Sequence, residues 1–475
     1  MANKLYQESD VQSIANAIRT KNGSSDTYKI SQMADAILDI PSGSSLQSKS
    51  VTITQNGTTT VTPDAGYDGM GEVEITTSVV SQGVEEKDVN FYDYDGTCIV
   101  SYTKSEFANL SALPNNPSHP GLTAQGWNWT LSDAKTFVVK YGFLDIGQMY
   151  ITDDNKTRVY VSLSEDTLEP YVGFSINGTA TIDWGDNSAQ STVTGSSTQY
   201  LSAVHVQHTY TNAGNYVITI SSTSKIYISG NSNGSYLLTK NANFSDNENK
   251  RYNACIEKIE LGNADLSEYA LTYCENLKSI TMPNTVTGIL AQTFKYNLAI
   301  KCVIFPTSCT RYTTDALSYC GTTTICINKG TTSLGDQGHR YSYSLKKLAV
   351  PEGTTTSMPT DFVRYCYGLR KMNIPDGMTT LTTSCFQFCY SMQHFIMPAS
   401  VTTIQATAFS NCCGARYFDF TSHTSVPTLA NANAFNGTAS DMKIIVPDDL
   451  YKTWIAASNW STHASKIIKE SDWNA

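Results

Sequence analysis

From residue 271 to 412 apolar positions return at a fixed interval. Leu277, Ile300, Leu345, Leu369 and Met392 each stand six residues before a proline: Pro283, Pro306, Pro351, Pro375 and Pro398. The prolines are 23, 45, 24 and 23 residues apart, and the long gap holds two units, one lacking its proline near Lys329. Nine residues before each proline a short polar or thiol side chain recurs as Cys274, Asn297, Ser342, Cys366 and Cys389, and Cys320 and Cys412 continue the column. An aromatic precedes it at Tyr273, Tyr296, Tyr319, Tyr341, Tyr365 and Phe388, and three before the slot come Leu271, Phe294, Leu317, Val363, Phe386 and Phe409. Repetition at about 23 residues, roughly seven times over, predicts a solenoid. Each unit supplies one short alternating strand, as in Leu277-Lys-Ser-Ile280-Thr-Met282, and proline ends it because it cannot donate to a ladder. One unit cannot bury its apolar face, so neighbours must stack.

The column of Cys274, Cys320, Cys366, Cys389 and Cys412 has three readings. Thiols on adjacent rungs come within the separation a disulfide allows, and thiols can also hold a metal. Asn297 and Ser342 fill the same slot and cannot bridge, which favours buried, inert thiols, a structural ladder in which a small side chain needs no strong partner.

The repeat resembles the bacterial leucine-rich repeats of BspA type, with L-x-x-I-x-(I/L/M)-P followed by V-x-x-I and A-F-x-x-C. The clearest copy is Met397-Pro398-Ala-Ser-Val401-Thr-Thr-Ile404-Gln-Ala-Thr-Ala408-Phe409-Ser-Asn-Cys412. The resemblance covers about 255–421 and implies an interaction surface without catalysis. The unit at 330–351 departs from it. There Gly335-Asp-Gln-Gly338-His339-Arg340-Tyr341-Ser-Tyr343 replaces the A-F-x-x-C context. Two readings attach to this stretch, a tolerated surface insertion and a ligand-facing bulge carrying His339, Arg340, Tyr341 and Tyr343.

Upstream, Gly178-Thr-Ala-Thr-Ile182-Asp183-Trp184-Gly185-Asp186-Asn187 and His208-Thr-Tyr210-Thr-Asn-Ala-Gly214-Asn-Tyr216-Val217-Ile-Thr-Ile220 resemble a polycystic-kidney-disease-type (PKD) β-sandwich. Trp184 and Tyr216 are core fillers on that reading, and Gly-Asp-Asn is a tight turn. Asp183 and Asp186 are either Ca²⁺ ligands or, more commonly for such residues, acceptors for local backbone. At the N-terminus Val11/Ile14/Ala15/Ile18 recurs as Ile30/Met33/Ala34/Ile37, two amphipathic helices too short to stand alone. This stretch resembles the start of tail- and baseplate-associated proteins of gut bacteriophages. Val51-Thr-Ile53, Asn56-Gly57 and Val73-Glu-Ile75 predict a small β unit with a hairpin signal. Residues 85–165 mix strands with helices begun at Ser105 and Thr130. Trp127 and Trp129 in this region serve either as core anchors or as a sugar-stacking platform.

Composition narrows the function. The 475 residues are 40% hydrophobic and 16% charged, with net charge −10 and no basic stripe, which argues against nucleic acid. No apolar run reaches the ~18 residues of a membrane span, and Met1–Glu8 lacks the pattern of a signal peptide. Gly230-Asn-Ser232-Asn-Gly234 matches G-x-S-x-G by letter but sits in turn chemistry. Metalloprotease, phosphate-loop and dinucleotide fingerprints are missing, and the seven histidines are scattered.

The expectation is a mainly β, multidomain chain. Residues 1–43 form a short N-terminal helical hairpin for attachment, 44–84 a small β module and 85–165 a mixed α/β spacer. Residues 166–253 make a PKD/Ig-like β-sandwich and linker, 254–421 a BspA-type leucine-rich-repeat solenoid, and 422–475 a C-terminal cap. The resemblances imply a non-enzymatic virion protein without cofactor or metal, a tail fibre or receptor-binding protein made in the host cytoplasm. It would engage other tail or baseplate proteins through its N-terminus and a host surface glycan or protein through its C-terminus. Homo-oligomerisation, as a trimer by likeness to fibres, is expected, and nucleic acid and membrane insertion are not. The alternatives are a bacterial cell-surface adhesin and a polysaccharide depolymerase.

Overall fold

The computed structural model describes residues 8–22, 46–53, 69–77, 85–199, 203–240 and 248–473. It divides into two compact units, 1–85 and 86–475. In the first, the helix Glu8–Asn22 buries Ala15 and Ile18, two members of the predicted stripe. The second copy of the stripe, at Ile30 to Ile37, and the Asn56-Gly57 signal lie outside the described residues. Strands Leu46–Ile53 and Gly69–Thr77 both form, but they pair in parallel, Leu46 opposite Gly69 and Ile53 opposite Thr77. A two-residue hairpin cannot connect parallel strands, so the hairpin expected there does not join these two.

The second unit begins with a four-stranded sheet in the order Cys98–Tyr102, Val89–Tyr92, Leu144–Thr152, Leu122–Trp127. The helix Lys104–Ala108 starts in a capping box, Thr103 with Glu106, and the helix Leu131–Tyr141 starts on Thr130 and ends on left-handed Gly142. Phe107, Phe137 and Val138 close one side of the sheet. The other side meets the repeats so closely at Gly147 that an added Cβ would fall 2.5 Å from Ile304.

Next come antiparallel strands Thr157–Leu163, Tyr171–Asp183, Ser191–Ser197, Val204–Gln207 and Gly214–Ser222. Backbone pairing is continuous past residue 254. Thr157–Leu163 pairs with Ile256–Glu260, and Ile226–Ile228 with Ala264–Leu266. A single apolar core runs from Val159 to Ile467.

From residue 256 the chain is a parallel solenoid of short strands, with register pairs such as Cys302 with Thr324, Lys347 with Lys371 and His394 with Tyr417. A second ladder links Ser357–Met358, Thr380–Leu381, Thr403–Ile404 and Thr428–Leu429. Leu277, Ile300, Leu345, Leu369 and Met392 are all buried, as the spacing predicts. Two left-handed residues per rung turn the chain, among them Tyr273, Tyr296, Tyr319, Tyr341, Tyr365 and Phe388, with φ of 58–65°. Non-glycine residues in this region cost about 1 kcal/mol or more each. Inter-rung hydrogen bonds offset that cost, because each left-handed N–H donates to a carbonyl of the next rung (Tyr273 to Lys295, Tyr365 to Gln387). Strands Lys443–Val446 and Ile467–Lys469 extend the sheet, and buried Trp454 and Trp460 close its end against Phe420.

Candidate functional site

Two aromatic columns run along one edge of the solenoid. In the first, Tyr273, Tyr296, Tyr319, Tyr341, Tyr365 and Phe388 stack with successive centroid separations of 4.6, 4.8, 4.4, 4.5 and 4.5 Å. In the second, Tyr343, Tyr367 and Tyr390 stack at 5.0 and 4.6 Å. The columns meet edge to face, as at Tyr365 and Tyr367, 6.1 Å apart. The first column is half-buried, while Tyr343 and Tyr390 are exposed. Ring faces are consumed inside the stacks, so the surface presents ring edges and hydroxyls. Lys250, Lys295, Arg340 and Arg364 lie over rings of the first column. Lys295 is held by Asp315 at 2.9 Å, and Arg340 and Arg364 share Asp361 at 3.5 and 3.3 Å. Burial pushes the Tyr319 phenol up to about 12 and raises Tyr343 and Tyr367, so these three phenols stay protonated.

Beneath the ribbon lies the slot column. All the cysteines of this column are buried and unbridged. Cys320, Cys366, Cys389 and Cys412 each make the weak bond to a main-chain carbonyl that a thiol can donate. Cys320 Sγ donates to Phe294 O at 2.8 Å, Cys366 to His339 O at 3.1 Å, Cys389 to Val363 O at 3.2 Å and Cys412 to Phe386 O at 2.9 Å. Asn297 and Ser342 make the same bond, to Leu271 O at 2.7 Å and Leu317 O at 2.8 Å. The slot therefore selects a small donor that satisfies the carbonyl of the rung before it. Burial pushes the thiols up, Cys320 and Cys412 to about 12, which keeps them protonated and inert.

The expected bulge at 335–343 is a regular rung. His339 occupies the apolar position three before the slot, fully buried between Tyr312 and Phe362. It cannot face a ligand there. Among the described residues neither of its ring nitrogens nor the Tyr312 hydroxyl has a hydrogen-bond partner, and burial pulls the His339 pKa down to about 3. Of the four residues singled out in that stretch, Arg340, Tyr341 and Tyr343 join the ribbon.

Trp127 and Trp129 are buried anchors, not a sugar platform. Trp127 Nε1 donates to Pro114 O and Trp129 Nε1 to Ile327 O, each at 2.8 Å. Asn128 between them donates to Phe305 O and Cys326 O, fastening the α/β module to the solenoid. Asp183 accepts from Gly185 N and from Gln190. Asp186 accepts from Ser188 N and contacts His208 at 2.7 Å, and His208 stacks on Trp184. Burial pushes the Asp186 carboxyl up, but the Ser188 and His208 hydrogen bonds outweigh it and hold it at about 2. These carboxylates satisfy local groups, and among the described residues no cluster of three or more His, Cys, Asp or Glu could hold a metal. Gly230–Asn231 and Gly234–Ser235 pair as a tiny hairpin around Ser232, without the strand-to-helix turn a nucleophile needs.

The sequence comparisons agree with this geometry. Residues 239–324 and 313–440 match the BspA type leucine rich repeat region in six copies, and this stretch is a BspA-type leucine-rich-repeat solenoid. Among solved structures the chain is similar to a leucine-rich repeat protein from Eubacterium ventriosum, with 22% identity, 37% of this chain and 40% of that one covered, and a TM-score of 0.27. It is also similar to a leucine rich cell surface protein from Faecalibacterium prausnitzii (18%, 44% and 59%, 0.28) and to the pneumococcal vaccine antigen PcpA (13%, 43% and 64%, 0.28). Each of these three matches spans less than two thirds of the other chain. No curated protein matches.

Proposed function

We propose that the protein is a non-catalytic recognition protein of the bacterial cell surface, an adhesin whose solenoid holds its partner along the tyrosine ribbon. One observation carries this reading: nine rings in two columns, aligned by stacking before any partner arrives. Tyrosine gives wide contact area with few rotors to freeze, and rings already held by their neighbours lose less freedom on binding. The match to BspA-type repeats supports the same class. On this reading the strands at 157–222 act as a PKD-like spacer.

The test is adhesion of beads carrying the full chain to epithelial monolayers, compared with a Tyr343→Ser/Tyr367→Ser/Tyr390→Ser variant. The expected result is adhesion that falls about tenfold in the variant. Adhesion by the variant equal to that of the parent, or none by the parent, overturns the reading. New reducing ends after incubation with host polysaccharide would overturn its non-catalytic part and favour the depolymerase.

A second reading, a virion tail protein with its own oligomer and host-directed end, rests on the sequence resemblance of the N-terminal segment alone. Recovery of the chain in purified virions, and not in cell-envelope fractions, would select that reading.

A further inference from the structure

The α/β module covers only part of the solenoid's outer sheet face. Its core takes in Cys302, Ile304, Cys326 and Ala349, the outward positions of the first strands. On the following strands Asn373 is still buried, but Lys371, His394 and Ile396 are exposed, Ile396 to 64%. A groove of about 990 Å³ runs where the module ends, walled by Lys140, Tyr141 and Phe143 and floored by Lys371, His394 and Ile396. Val139, 65% exposed on the module's helix, adds to the apolar surface on that side. At the far margin Trp473 packs on Tyr417, the register partner of His394.

Charge around this groove is unbalanced. Several nearby cations have carboxylates: Lys140 has Glu352 at 2.5 Å and also Asp376, Lys347 has Asp145 at 3.0 Å, and Arg416 has Asp441, whereas Lys104 donates to Val139 O. Arg370 and Lys371, which line the groove side by side, have no carboxylate within ion-pair reach among the described residues. Among the described residues the Lys371 ammonium donates to Gly142 O at 3.3 Å and lies 4.8 Å from the Phe143 ring; burial pulls its pKa down, and Asp88, too far for an ion pair, opposes this more weakly. Two cations without anions, one of them partly desolvated, beside an uncovered isoleucine, form the complement of an anionic ligand with an aliphatic anchor. The exposed apolar contact on the floor is Ile396, and the buried Phe143 ring is already covered by Lys371, so an aliphatic side chain of a peptide fits this floor better than a sugar face.

We propose that this groove is a second recognition site, separate from the tyrosine ribbon, that seats an extended acidic polypeptide segment with an aliphatic side chain on Ile396 and its carboxylates on Arg370 and Lys371. The chain's net charge of −10 repels acidic ligands in general, so attraction of one must be local.

The test is fluorescence anisotropy of a labelled glutamate–leucine copolymer with the full chain, with polyglutamate and polygalacturonate as comparisons. The copolymer is expected to bind and to weaken with added salt. Affinity should fall about tenfold in Arg370→Glu/Lys371→Glu and, separately, in Ile396→Asp. Polyglutamate, lacking the anchor, should bind about tenfold more weakly. The triple tyrosine variant should bind the copolymer as the parent does, which separates failure of this site from failure of the ribbon. No copolymer binding, unchanged affinity in the groove variants, loss in the tyrosine variant, or polygalacturonate binding as tightly as the copolymer would each overturn the proposal.

Discussion

The covered and the open halves of the solenoid's outer sheet face share one backbone plan. Cys302 pairs with Thr324 beneath the module as His394 pairs with Tyr417 outside it, both in parallel register. Only the outward residues differ. Beneath the module they are Cys302, Ile304, Cys326 and Ala349, joined to it by Asn128 and Trp129, and beyond it Lys371, His394 and Ile396 face the groove. The inward side chains and the inter-rung hydrogen bonds hold the stack in both halves. Outward positions are thereby released, in one half to glue on a module and in the other to meet a ligand.

The largest expected break is on the covered side. Trp129→Ala removes a buried indole and orphans the Ile327 carbonyl, and should destabilise the second unit by ~3–5 kcal/mol in urea unfolding, with hydrogen exchange rising first at Cys302–Ile304. Unchanged exchange there would mean that the module is not what shields this strand.

A second test addresses the rung where the cover ends, because His339 lies inside it. Its folded pKa of about 3 lies below the ordinary value of 6.5, so the fold admits only the neutral ring. Its contribution to stability is therefore complete above about pH 6.5 and is lost progressively as pH falls toward about 3, by up to ~1.4 kcal/mol per pH unit. His339→Leu should flatten the pH dependence of the urea midpoint in that window. His205, held near 4 by burial, leaves a residual slope. A variant as acid-sensitive as the parent would acquit His339.

The smallest effect belongs to the open side. Ile396→Ser should change stability by no more than ~0.5 kcal/mol, since its side chain already faces solvent. A larger loss would show that the groove floor is structural.

Much of the solenoid was legible because its cause is local and repeated. The prolines, the apolar residues six before them and the slot column share one period, so strand, core face and rung boundary followed from spacing. The donor role of the slot was half visible, since Cys, Asn and Ser have a small donor in common, but its acceptor lies 25–27 residues earlier and only stacking brings it near. His339 was misread because a polar letter at an apolar position looks like an interruption, whereas the backbone beneath it is unchanged. Trp127 and Trp129 were readable as core anchors but not what they anchor to, because the carbonyls around them belong to residues almost two hundred positions away or, for Trp127, to a loop thirteen positions back. The parallel pairing of Leu46–Ile53 with Gly69–Thr77 was obscured by a turn signal that says nothing about which strands it joins.

Periodicity alone determined that the C-terminal half is a stack, since an apolar face repeated every 23 or so residues has no cover except its neighbours. Tertiary structure decided which outward faces are covered, that the tyrosines close into a ribbon, and where Arg370, Lys371 and Ile396 meet the flank of the module. The ribbon closes between rungs 22–24 residues apart, at the repeat's own period, once the rungs stack; the other two outcomes depend on contacts between segments about two hundred residues apart, and no interval in the chain records such distances.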